Sequence, residues 1–86
     1  MSARFEGQVV VIPGGGRGSG RATAREFADE GATCVLAGRR MDALRAAAGE
    51  VTHAGGRALT VHCDVMKEED LNTLVGKTLE EFGRID

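Results

Sequence analysis

The sequence predicts an α/β fold: a doubly wound parallel sheet with helices on both faces. Three observations carry the prediction. The run Val9-Val10-Val11-Ile12 is apolar at every position and β-branched throughout, as in a strand covered on both sides. Each of three short strand-like runs is followed by an apolar stripe of helical period. Glycines stand where runs and stripes meet, the punctuation that alternating strands and helices need.

The elements follow in order. After strand one, glycines dominate 14–20, and Gly20, Ala24, Phe27, Ala28 and Gly31 then form a stripe over a helix at about 19–30, with Arg25 and Asp29 one turn apart on its other side. Gly31 suits a left-handed stop. Thr33 to Ala37 reads as a second buried strand, and Leu44, Ala47, Ala48, Val51 and Ala54 as a second helical stripe that Gly55-Gly56 terminates. Ala58 to His62 makes a third strand. Leu71, Leu74, Val75, Thr78, Leu79 and Phe82 then lie on one face of a third helix, with Gly83 after it. Met66 stands where Ser or Thr would complete a capping box with Glu69. Arg84-Ile85-Asp86 reads as the first residues of a fourth strand.

Length and composition bound what such a chain can be. Its 86 residues, 42% hydrophobic and 28% charged, place it among globular chains and at the size of one small domain, so residues 1–86 are read as a single unit. A net charge of −2 supplies no basic field to gather nucleic acid or an anionic membrane, and neither is expected as a partner. The start, MSARFEGQ, lacks the apolar stretch of a signal peptide, and no run has the length of a membrane span, which points to the cytoplasm. Cys34 and Cys63 make no disulfide framework. With His53 and His62 they also lack the ligand spacing of a zinc site, so no metal is expected.

The loop after strand one, Pro13-Gly14-Gly15-Gly16-Arg17-Gly18-Ser19-Gly20, is built to cradle phosphate. Glycines let the backbone turn sharply and approach a pyrophosphate, whose charge the N–H groups and dipole of the following helix favour. A P-loop does not fit: from Gly15 the spacing reaches Gly20, but Arg21-Ala22 stand where the phosphate lysine and magnesium hydroxyl belong. The G-x-G-x-x-G fingerprint fails as well, since Ser19 or Thr23 falls where the third glycine belongs. Gly14-x-x-x-Gly18-x-Gly20 remains.

That spacing resembles the short-chain dehydrogenase/reductase family, whose pattern at the end of strand one is Thr-Gly-x-x-x-Gly-x-Gly. The resemblance runs along the chain: GRATAREFADEGATCVLAGRR is similar to the family's first helix and second strand, CDV at 63–65 to its motif after strand three, and FGRID at 82–86 to its lead into strand four. It implies a Rossmann-like, dinucleotide-binding fold, here the N-terminal part only, ending after three βα units. It further implies that the backbone of Gly18 and Ser19 approaches the pyrophosphate and that Gly20 permits helix-on-strand packing. Asp64 would accept a hydrogen bond from the adenine amino group, with Val65 lining the ring. Pro13 stands where the family has Thr, and Ser19 where it has Ile.

Arg39 and Arg40 follow strand two directly, at the crevice edge where dinucleotide folds read the adenosine ribose. Gly38 occupies the slot where an acidic residue would bind the 2′-hydroxyl of NAD, and a guanidinium beside it suits the 2′-phosphate of NADP. Arg17 adds a second cation from the glycine loop. The expected cofactor is therefore NADP, with NAD second.

In this family the hydride-transfer residues, an Asn, a Ser, a Tyr and a Lys, lie beyond strand four, and these 86 residues contain no Tyr. No catalytic residue is assigned here. The resemblance implies the N-terminal part of an NADP-dependent oxidoreductase acting on a small alcohol or ketone, with a homo-oligomeric parent and an inactive isolated chain. The alternative is a stand-alone nucleotide-binding module or pseudoenzyme.

Overall fold

The computed structural model describes residues 6–14, 18–64 and 66–86, without the side chain of Ser19. Along them run β1 (Val9–Pro13), α1 (Gly18–Asp29), β2 (Thr33–Gly38), α2 (Met41–His53), β3 (Arg57–His62) and α3 (Glu68–Phe82), the alternation that the apolar patterning predicts. The three strands form one parallel sheet in the order β1-β2-β3, with Val35 level with Val11 on one side and Leu59 on the other.

β2 is paired along both edges and covered by helices on both faces, so Cys34, Val35, Leu36 and Ala37 are all buried. Successive side chains point to opposite faces. Cys34 and Leu36 pack with Ile12, Ala24, Ala28, Leu44, Ala47 and Val51 beneath α1 and α2. Val35 and Ala37 pack with Val9, Val61, Cys63 and Leu74 beneath α3. The sheet is thus wound on both faces. Leu36 and Leu44 are fully buried, and truncating either to Ala would cost about 2–5 kcal/mol from lost transfer energy and the cavity left behind.

Helix α1 ends as the glycine predicts. Gly31 takes φ +90°, Gly31 N–H donates to the Ala28 carbonyl and Ala32 N–H reaches back to Phe27, a paired closure that satisfies carbonyls of the last turn. A Cβ at Gly31 would also sit 3.1 Å from the Glu6 Cα, so a side chain there would meet crowding as well as backbone strain.

The stripe predicted for α3 divides in two. Leu74 and Thr78 are buried and Phe82 is half-buried against β3, its ring stacked beneath the Arg57 guanidinium at 5.4 Å. Leu71, Val75 and Leu79 are instead exposed, at 39%, 46% and 46%. A stripe that wide needs two surfaces to cover it, and the sheet supplies one. The N-cap of α3 is Lys67 rather than Met66, which moves the third helical position from Glu69 to Asp70.

Pro13 sits inside β1, level with Ala37. Gly14 N–H donates to the Ala37 carbonyl, whereas the peptide groups of Val9 turn to the other edge, toward Asp86. Strand alternation puts the Pro13 nitrogen on that same outer edge, so its missing N–H breaks no bond to β2.

Candidate functional site

Of the predicted site residues, Gly14, Arg39 and Asp64 lie at the carboxyl ends of the strands, the edge where open parallel sheets bind ligands. Backbone bonds set the stagger. Gly14 N–H donates to Ala37 at 2.7 Å, and Cys63 N–H donates to Gly38 at 2.8 Å. Gly14, Gly38 and Asp64 therefore follow one another across two strand spacings, roughly 10 Å in all.

Gly14 is exposed with φ +68°, and Gly18 opens α1 at φ +51°. No described atom lies within 4 Å of where a Cβ would stand at either position, so the backbone is open to close approach by a ligand. A side chain at Gly14 would face backbone strain, not a protein wall. Ser19 is in the first turn of α1. Arg17, the side chain of Ser19 and Val65 lie outside the described residues.

At the end of β2, Gly38 is half-buried, and a Cβ there would rest 3.5 Å from a Leu44 methyl, an ordinary van der Waals contact. Arg39 and Arg40 are exposed, and neither pairs with a carboxylate among the described residues. Arg40 is the N-cap of α2, in extended conformation and without a side-chain cap, so both guanidinium stems leave the strand end beside the amino end of that helix.

Asp64 is half-buried after β3. Its Oδ1 accepts the Met66 N–H at 3.0 Å and its carbonyl accepts the Lys67 N–H at 2.9 Å, closing the turn into α3. The Asp64 N–H donates to Oδ2 of Asp70 at 2.8 Å. The sequence pattern alone places Asp70 among the favourable first-turn charges of α3; that its carboxylate reaches back six residues depends on how the turn folds.

Of the remaining chemistry-bearing groups, Cys34 and the Arg21–Glu50 pair stand apart from this edge, whereas His62 and Cys63 close β3 beside it. Cys34 is fully buried, its thiol donates to the Ala24 carbonyl, and burial pushes it up to about 11. Burial also raises the Cys63 thiol, with the charges of Asp70 and Asp64 adding to the shift. His62 is exposed while Cys63 is buried, as adjacent strand-end positions require. Arg21 of α1 pairs with Glu50 of α2, which holds the Glu50 carboxyl below its usual range. A shallow groove beside that pair, lined by Arg25, Asp29, Gly49, Glu50 and His53, lies on the carboxyl halves of both helices and so away from the strand-end crevice. Among the described residues no helix is long and apolar enough to cross a membrane.

Residues 8–86 match the short chain dehydrogenase family. The tropinone reductase-like 1 protein of Erythroxylum coca is 43% identical over 96% of this chain. Among solved structures, a citronellol catabolism dehydrogenase of Pseudomonas aeruginosa PAO1 superposes with a TM-score of 0.95 at 42% identity over 99% of this chain. An NAD+-bound xylitol dehydrogenase superposes at 0.93 with 35% identity over 96% of the chain. The chain spans only 29% of the Erythroxylum protein and 36% and 32% of the two solved chains.

Proposed function

Since the chain belongs to the short-chain dehydrogenase family, we propose that residues 1–86 are part of a single dinucleotide-binding domain and hold the adenosine half of NADP(H), in a parent that interconverts a small alcohol and its carbonyl compound. The observation that carries the reading is the line Gly14, Gly38, Asp64 along one sheet edge, with open backbone at Gly14 and at Gly18. When bound, the nicotinamide of the dinucleotide supplies or takes up the hydride.

The residues of this chain have binding roles only. The backbone at Gly14, Gly18 and Ser19 lines the pyrophosphate, favoured by the amino end of α1. The carboxylate of Asp64 accepts the adenine amino group beside Val65. Arg39, with Arg17 from the loop, takes the 2′-phosphate, for which Gly38 leaves room. NADP is preferred to NAD on this reading because no acidic side chain stands at 38 to hold a ribose hydroxyl and repel a phosphate.

A thermal-shift comparison of NADPH with ATP–Mg, on protein expressed from the complete reading frame, tests the reading. Stabilisation by NADPH is expected, and stabilisation by ATP–Mg alone would overturn it. Asp64→Ala should weaken NADPH about fivefold, the equivalent of one hydrogen bond.

A further inference from the structure

We propose that Asp70 is a positioning residue for adenine recognition, holding Asp64 so that one carboxylate oxygen faces the nucleobase. The proposal rests on the reading of Asp64 given above.

The geometry is that of a tied turn. Cys63 N–H is bound to Gly38 of β2 at 2.8 Å, and the next N–H, that of Asp64, is bound to the Asp70 carboxylate of α3 at 2.8 Å. Asp64 is therefore anchored to the sheet on one side and to the helix on the other. Its carbonyl is taken by Lys67 N–H and its Oδ1 by Met66 N–H. Among the described residues this leaves Oδ2 as the acceptor open to a ligand.

Asp70 is not placed as an ordinary helix cap. An acidic residue at the third helical position normally reaches back to the N–H of the N-cap residue. Here that N–H, of Lys67, already serves the Asp64 carbonyl, and the Asp70 side chain passes over it to the Asp64 N–H. The bond stabilises the turn backbone instead of the helix end, and it sets where Asp64 stands. Both carboxylates act on the Cys63 thiol between sheet and helix, in keeping with their closeness. Glu68 and Glu69, in the same first turn, are exposed and leave the turn to Asp70.

The inference is read by base discrimination, which a loss of stability alone would not change. NADPH is compared with its hypoxanthine analogue, in which the amino donor is absent, on protein from the complete reading frame. Wild type should prefer adenine about fivefold. Asp70→Ala should bring that ratio close to one while keeping the preference for NADPH over NADH. Asp70→Asn, whose amide oxygen can accept the same N–H, should retain the adenine preference and serves as the folded control if the Ala variant does not accumulate. A wild-type ratio that survives in Asp70→Ala, or a folded Asn variant that loses it, overturns the positioning role. A wild type without any adenine preference overturns the Asp64 reading itself.

Discussion

Asp86 holds Val9 at both peptide groups: its backbone N–H donates to the Val9 carbonyl at 2.7 Å, and its carboxylate accepts the Val9 N–H at 2.7 Å. In a parallel ladder the second bond would come from a strand carbonyl two residues earlier. A side chain fills that role here. The same carboxylate pairs with Arg84, and the Arg84 guanidinium with the Val9 N–H holds it below the ordinary Asp value of 3.8.

This tie gives a signed pH dependence. Because the folded-state pKa is depressed, the stabilisation is complete above about pH 4–5 and is lost as pH falls through the lower folded value. Thermal melts of wild type and Asp86→Asn should therefore converge in acid and separate toward neutrality, with wild type the more stable. Parallel pH profiles for the two would show that the carboxylate does not hold the edge.

Beyond Val9 the outer edge of β1 carries the peptide groups of Val11 and Pro13 with no strand beside them among the described residues, and Leu71, Val75 and Leu79 are exposed on α3. An unpaired parallel edge is a template for association. The isolated 86-residue chain should self-associate as its concentration rises in sedimentation velocity, and Val75→Lys should reduce this. A single monomer boundary at all concentrations would contradict the prediction.

Cofactor preference should rest on the end of β2. Arg39→Ala should weaken NADPH by about one to two decades and NADH little, since an arginine–phosphate bond contributes roughly 1.5–3 kcal/mol. Gly38→Asp should invert the order by repelling the 2′-phosphate. The fold accommodates that change, a Cβ resting 3.5 Å from a Leu44 methyl. Titrations in which Arg39→Ala affects both cofactors equally would remove the arginine from the site.

The two cysteines should be inert in the folded chain. With the Cys34 thiol raised to about 11, only ~0.1% is thiolate at pH 8, and burial denies access as well. Ellman's reagent at pH 8 should modify neither cysteine until denaturant is added. The unfolded thiol ionises from its ordinary value of 9.0, before the folded one, so Cys34 withdraws stability between about pH 9 and 11. A rapid native reaction of Cys34 would mean that α1 and α2 do not cover their face of β2.

The order of elements, the parallel sheet and the stop at Gly31 were legible in the sequence alone. Each follows from local rules: a wholly apolar run must be covered twice, a helical stripe must face a core, and a left-handed stop wants glycine. Those rules act over a few residues, so the order of letters suffices. That Gly14, Arg39 and Asp64 follow the ends of successive strands was legible from the same alternation, whereas the adenine role proposed for Asp64 comes from the family resemblance. The tertiary structure alone decided which side of the α3 stripe the sheet would cover, because the pattern marks both sides as apolar and only packing selects Leu74 and Thr78. It also decided the partners of Asp70 and Asp86. Composition casts Asp70 as a helix charge and Asp86 as part of a strand, but their bonds run to Asp64 and Val9, and whether a carboxylate meets a given N–H is set by how turn, strand and helix come together in space.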